Sequence, residues 1–97
     1  MIRHIVMTNF KAEVGQRERD EFSRNLKNTL AKVPGTHNVI VARATDIEGK
    51  VRYDAALFID FDDEVSLKSY FEHPTHQAAQ AQMLPLFEKF LVSDYVY

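Results

Sequence analysis

The sequence predicts an α+β domain in which helices cover one face of a four-stranded antiparallel sheet. Segments with strand-like patterns lie at the start, in the middle and at the end of the chain, and segments with helix-like spacing lie between them. Pro and Gly occur where one segment gives way to the next. The 97 residues suffice for one domain, 1–97, and leave no room for a second.

The first strand is predicted over residues 2–10, where side chains alternate between two faces. One face carries Ile2, His4, Val6, Thr8 and Phe10, and the other carries Ile5 and Met7. Both faces therefore contain residues suited to burial.

The first helix is predicted from about Arg17 to Lys32. Phe22, Leu26 and Leu30 recur every four residues, with polar residues between them. Pro34 and Gly35 follow directly and end the helix.

A hairpin is predicted from residues 38–44 and 53–61. The first segment is short and β-branched, and the second alternates between two faces. Glu48 and Gly49 indicate the turn between them.

Two further helical segments are predicted after the hairpin. Asp62 or Asp63 caps the first, which ends before Pro74. The second begins at Pro74, with His73 as its cap and His76 in its first turn.

The end of the chain is predicted as a helix that gives way to a last strand. Pro85 is expected to kink or restart the helix. Its apolar face is expected to continue through Leu86, Phe87, Phe90 and Leu91, and residues 92–97 form the strand.

The predicted order β-α-β-β-α-β is the split βαβ arrangement of ferredoxin-like folds, with the helices on one side of the sheet. The other side of the sheet also carries apolar residues, and no element remains to cover it. A chain of this size buries only about 60 to 65 % of its unfolded surface, so its core alone gives a thin stability margin. We therefore expect a twofold homodimer, a dimeric α/β barrel.

The composition excludes several classes of partner and chemistry. The formal net charge is −2, so we expect neither nucleic acid nor an anionic membrane as a partner. The chain has no cysteine, which excludes disulfides and thiolate chemistry. Its first residues lack the apolar region of a signal peptide, and no stretch is long enough to span a bilayer. We expect a cytoplasmic protein.

The candidate catalytic residues are Tyr70 and His76, and His73 lies three residues from each of them. In the first turn of a helix, His76 meets the positive end of the helix dipole, which favours the neutral ring that acts as a base. The Tyr70 hydroxyl suits the polarisation of a substrate carbonyl. His4, on the apolar face of the first strand, and His73, between Tyr70 and His76, are candidate cavity residues that would bind a ligand. The alternative is purely structural: His73 caps the helix, His76 packs beneath it, and His4 belongs to the core.

We expect no metal and no cofactor. His73 and His76 give only two imidazole ligands, and a third would depend on the folded structure. The sequence contains no Gly-rich phosphate loop and no dinucleotide fingerprint.

The chain resembles the stress-responsive A/B barrel (Dabb) family in four segments, IRHIV at 2–6, YDAAL at 53–57, HPTH at 73–76 and VSDY at 92–95. The resemblance implies a ferredoxin-like dimeric α+β barrel. A plant polyketide cyclase of the family performs aldol chemistry without a cofactor, with a Tyr and a His that match Tyr70 and His76 and a cavity histidine that matches His4. That cyclase has a further histidine near Asp54-Ala55, which this chain lacks.

Three functions remain open. The first is cofactor-independent acid–base catalysis on a small carbonyl or aromatic compound, as a cyclase, lyase or isomerase. The second is a non-catalytic ligand-binding module, and the third is a structural stress-response protein. The same barrel also carries cofactor-independent monooxygenases, and fold analogy does not choose among them.

Overall fold

The chain folds in the predicted order of strands and helices. The structure, a computed structural model, describes residues 1–47, 49 and 52–97. Within them the elements are β1 (Ile2–Phe10), α1 (Gln16–Leu30), β2 (His37–Arg43), β3 (Ala55–Phe61), α2 (Glu64–Glu72), α3 (Pro74–Met83), a 3₁₀ turn (Leu84–Leu86) and β4 (Phe87–Val96). The predicted turn at Glu48 and Gly49 includes Glu48, which lies outside the described residues.

The four strands form one antiparallel sheet in the order β2-β3-β1-β4. This is the ferredoxin-like arrangement that the sequence predicts. The central strands β1 and β3 alternate buried and less buried residues, because one face of each strand lies under the helices. No helix of the described chain is long and apolar enough to cross a membrane.

Two caps separate α2 from α3. The Asp63 carboxylate accepts a hydrogen bond from the Ser66 backbone N–H at 2.8 Å and so begins α2. His73 ends α2 and caps α3, and Pro74 occupies the first helical position, where its missing N–H costs nothing. Both caps agree with the prediction from the sequence.

The predicted continuation of the last helix through Phe87, Phe90 and Leu91 is wrong, because these residues belong to β4. A register shift between β4 and β1 near Asn9 places Phe87 opposite Phe10 and Phe90 opposite Thr8. Both phenylalanines therefore lie on the helix side of the sheet, with a three-residue spacing that resembles a helical pattern. Pro85 ends α3 instead of kinking it, and β4 begins five residues before the predicted Val92.

The core lies between the sheet and the helices. Its most enclosed side chains are Leu30, Ile59, Phe61 and Tyr70. The sheet face that points away from the helices remains partly open, and Ile5 and Phe58 lie opposite each other on it. We define this as the outer face of the sheet.

A polar cluster closes one end of the outer face. Arg3 donates two hydrogen bonds to the Asp60 carboxylate, at 2.8 and 3.0 Å, and Asn38 donates a third at 3.0 Å. Asp60 is buried, and these donors, Arg3 first, lower the pKa of its carboxyl to about 2.

Candidate active site

His4 lies on β1 and points toward the helices. It is paired with Asp94 of β4, the residue directly opposite in the antiparallel register. The His4 Nδ1 lies 2.6 Å from the Asp94 Oδ1. The His4 side chain is only 3 % exposed, whereas that of Asp94 is 32 % exposed. The pair therefore joins a buried ring to a carboxylate that reaches the surface.

His76 lies in the first turn of α3, as predicted, and its side chain is buried. Its Nδ1 lies 3.2 Å from the backbone carbonyl oxygen of Phe71. A carbonyl only accepts, so this contact places the proton on Nδ1 and leaves the lone pair on Nε2. Burial lowers the pKa of His76, more strongly than the Phe71 carbonyl raises it, and a positive charge on His4 lowers it further. The ring is therefore neutral near pH 7.

Tyr70 lies on α2 beside His76, with ring centroids 4.3 Å apart. Only 1 % of Tyr70 is exposed. Burial raises the pKa of the Tyr70 hydroxyl above its ordinary value, and the negative charge of Asp94 raises it further. The phenol keeps its proton at neutral pH and can donate a hydrogen bond.

Three polar atoms of this cluster have no hydrogen-bond partner among the described residues: the Tyr70 hydroxyl and the Nε2 atoms of His4 and His76. Across the same residues, no side-chain nitrogen or oxygen is both enclosed and unpartnered. Each of the three atoms therefore faces space that water can reach.

A cavity of about 90 Å³ lies beside these rings, between β4, β1 and α3. His4 and His76 line it together with apolar residues that include Met83, Phe87 and Phe90. Tyr70 contacts the rings of both histidines and forms the layer behind them. The volume holds several water molecules or a compound of a few heavy atoms.

Phe71 separates this cavity from a second concavity. Its ring is edge-on to His4 and to His76, at centroid distances of 5.3 and 5.7 Å. On the other side of Phe71 is an open groove of about 350 Å³, lined by Ile2, Glu64, Leu67, Lys68, Phe71, Asp94 and Val96. A ligand too large for the cavity would extend past Phe71 into this groove.

His73, predicted to line the cavity, lies apart from the other three. Its Nδ1 accepts a hydrogen bond from the Thr75 backbone N–H at 3.1 Å, and its ring is not among the residues that line the cavity. The first turn of α3 has backbone N–H groups without helical partners, and the imidazole satisfies one of them. The structure therefore brings together His4, Tyr70 and His76 and uses His73 as a cap.

Asp94 and Phe71 are site residues that the sequence analysis did not single out. Asp94 lies in the VSDY segment, but its position opposite His4 depends on the register between β1 and β4. His37 begins β2, away from this cluster, and its Nε2 lies 3.4 Å from the exposed Asp62 carboxylate.

A larger open concavity of about 370 Å³ lies at the other end of the sheet and is lined by arginines and aspartates. Two of its charged residues, Arg19 and Asp54, contact each other. Arg19 donates to the backbone carbonyl of Val14 at 2.9 Å and lies 3.6 Å from the Asp54 carboxylate.

In the described part of the chain, no group of three or more His, Asp or Glu residues is placed to hold a metal ion.

Comparison with known proteins agrees with this architecture. Residues 2–97 match the stress responsive A/B barrel domain (Dabb). The chain is 22 % identical over 95 residues to olivetolic acid cyclase of Cannabis sativa, a match that covers 97 % of this chain and 94 % of the cyclase.

Three solved structures share the fold. A Dabb protein of Mesorhizobium loti is 30 % identical, with a TM-score of 0.87 and coverage of 99 % of this chain and 95 % of that one. A dimeric ferredoxin-like protein of Thermobifida fusca is 24 % identical, with a TM-score of 0.88 and coverage of 99 and 90 %. Hydroxynitrile lyase of Passiflora edulis is 21 % identical, with a TM-score of 0.85 and coverage of 99 and 92 %.

Proposed function

Because this chain belongs to the stress-responsive A/B barrel family, we propose that its cavity binds a small carbonyl or aromatic compound and catalyses cofactor-independent acid–base chemistry on it. The observation that carries the proposal is that His4 and His76 line one cavity with unpartnered Nε2 atoms and that the Tyr70 ring packs against both of them. A relative by sequence is named as a cyclase and a protein of similar fold as a lyase, and these names support the same class of reaction.

The proposed reaction begins with the loss of a proton next to a carbonyl. The lone pair on the His76 Nε2 takes the proton from the α-carbon, and the C–H electron pair moves toward the carbonyl oxygen to give an enolate. The Tyr70 hydroxyl donates a hydrogen bond to that oxygen and stabilises its negative charge. The enolate then attacks a second carbonyl, as in an aldol cyclisation, or takes a proton back at another carbon, as in an isomerisation.

The dimensions of the site favour a small substrate. The cavity of about 90 Å³ is well below the volume of a pocket for a drug-sized ligand. Its walls are mostly apolar side chains, and its polar residues are His4, His76 and Gln80. This suits a compound with one carbonyl and a short apolar or aromatic part.

We propose that the protein acts as a homodimer through the outer face of the sheet. Ile40, Leu91 and Tyr95 are exposed on β2 and β4, and Ile5 and Phe58 lie between them on the central strands. The ferredoxin-like protein of Thermobifida fusca is described as dimeric, which supports a second copy as the cover. The cavity lies on the opposite side of the sheet, so each subunit carries its own site.

Deuterium exchange tests the proposed chemistry without knowledge of the natural substrate. Acetone and acetophenone in D₂O exchange their α-protons when a base forms the enolate, and proton NMR follows the loss of signal. We expect the protein to accelerate exchange above a buffer that contains an equal concentration of imidazole, and we expect H76A to abolish the acceleration. Exchange at the buffer rate with both ketones, at concentrations where they are bound, would contradict the proposal.

A second candidate is a binding module without catalysis. The His73 cap favours it, because one residue of the histidine pair serves the helix junction instead of the cavity. Imidazole NMR signals of His4 and His76 that shift with added acetophenone, without exchange of its α-protons, would support this function.

A further inference from the structure

Asp94 holds His4 in one orientation and one tautomer. The carboxylate accepts a hydrogen bond, so the 2.6 Å contact places a proton on the His4 Nδ1 and leaves Nε2 for the cavity. We infer that Asp94 is a positioning residue that makes His4 a second proton-transfer group of the cavity. This inference rests on the proposed acid–base function and extends it to a residue outside the cavity.

The two histidines differ in the acceptor that each Nδ1 meets. His76 donates to the neutral carbonyl of Phe71, whereas His4 donates to an ionised side chain. A proton on the His4 Nε2 would give a positive ring next to the Asp94 carboxylate, which stabilises that charge. His76 has no such partner. The geometry therefore suits His76 to take a proton and His4 to give one.

Tyr70 is poorly suited to act as the proton donor. Its hydroxyl is buried, with a pKa raised above the ordinary value, so it donates a hydrogen bond to the enolate oxygen but transfers its proton reluctantly. His4 supplies the proton instead, in the form that has taken a second proton from water at Nε2: that proton moves to the oxygen, the N–H electron pair stays on the ring, and the neutral ring keeps its Nδ1 proton on Asp94. The proton transfers balance, because His76 takes one proton from the substrate and His4 gives one proton to it.

Asp94 also connects the cavity to the surface. It lines the open groove on the far side of Phe71, and 32 % of its side chain is exposed. His4 is almost fully buried and lines the cavity. The pair thus spans the wall between the two spaces.

Histidine tautomers test the positioning role independently of any activity. In ¹⁵N-histidine-labelled protein, ring nitrogen shifts distinguish a proton on Nδ1 from one on Nε2, and the variant H4F identifies the His4 signals. We expect His4 to carry its proton on Nδ1 and D94L to shift the population toward Nε2. D62L is the matched control, because it removes the carboxylate of the exposed His37 pair. A His4 ring in the parent protein with a proton on Nε2 and none on Nδ1, or an unchanged tautomer in D94L, would overturn the inference.

Exchange kinetics test whether Asp94 acts through His4. With acetone in D₂O, we expect H4F and D94N each to lower the exchange rate about 100-fold, within the range of general acid–base contributions. The double variant H4F/D94N should be no slower than either single variant, because the two residues form one unit. Multiplicative losses, or an unchanged rate in D94N, would overturn the inference. If the parent protein itself shows no exchange, the proposed function fails and the tautomer measurement still decides the role of Asp94.

Discussion

Replacement of Tyr70 by phenylalanine separates the proposed chemistry from stability. The ring is 1 % exposed and contacts His4, Phe61, Phe71 and His76, and phenylalanine keeps all of these aromatic contacts. Only the hydroxyl is lost, and it has no partner among the described residues. No hydrogen bond is therefore broken in Y70F.

The expected change in the free energy of unfolding is small and not destabilising. Water can reach the Tyr70 hydroxyl on one side only, since 1 % of the residue is exposed, so the hydroxyl loses part of its hydration on folding and its removal should stabilise the protein by 0 to about 1 kcal/mol. For a domain of this size, about 1 kcal/mol corresponds to a melting temperature about 4 to 8 °C higher. Urea unfolding and thermal melts measure this change. A hydroxyl that was hydrogen bonded would instead make Y70F less stable by about 0.5 to 1.5 kcal/mol.

The expected change in activity is large. Without a donor to the enolate oxygen, the exchange rate of acetone α-protons in D₂O should fall by a factor of about 10 to 1,000. Y53F is the matched control, since Tyr53 lies near Lys89 at the other end of β4 and outside the cavity. The reasoning is refuted if Y70F exchanges acetone as fast as the parent protein, or if it is less stable by more than about 1 kcal/mol.

Three other predictions concern His76, Asp60 and the outer face. In an NMR titration, the pKa of His76 should lie below its ordinary value of 6.5, so that the exchange activity falls as the pH drops through that pKa. Because the unfolded state binds more protons at this position, the contribution of His76 to stability should rise with pH near 6.5. Asp60, with a pKa lowered to about 2, should stabilise the fold fully above about pH 4 and progressively less toward pH 2, and in urea unfolding D60N should lack this dependence. Light scattering should give about twice the 11.2 kDa of one chain, and F58K should dissociate the dimer whereas V65K, exposed on α2, should not; a single-chain mass for the parent protein would contradict the dimer.

Much of the fold follows from local features of the sequence. Period two from Ile2 to Phe10 predicts β1 with its observed ends, and Asp63 and His73 predict the caps of α2 and α3 because they supply acceptors next to free backbone N–H groups. The sequence pattern predicts that β4 begins at Val92, whereas the strand begins at Phe87. Phe87 and Phe90 are three residues apart, which is typical of a helix, but the register shift near Asn9 places both on one face of the strand. Such a shift depends on the neighbouring strand.

Some features of the candidate site also follow from the local sequence, and others depend on the tertiary structure. The sequence by itself determined the residue types and the helix turn that carries His76, because caps and prolines act over a few residues. Only the tertiary structure decided which side chains meet: His4 and Asp94 lie 90 positions apart and pair through the register of β1 and β4. It also decided that His73 lies outside the cavity, since its ring satisfies the backbone of α3. Contacts of this kind depend on how strands align and helices pack, and no local pattern of residues specifies that alignment.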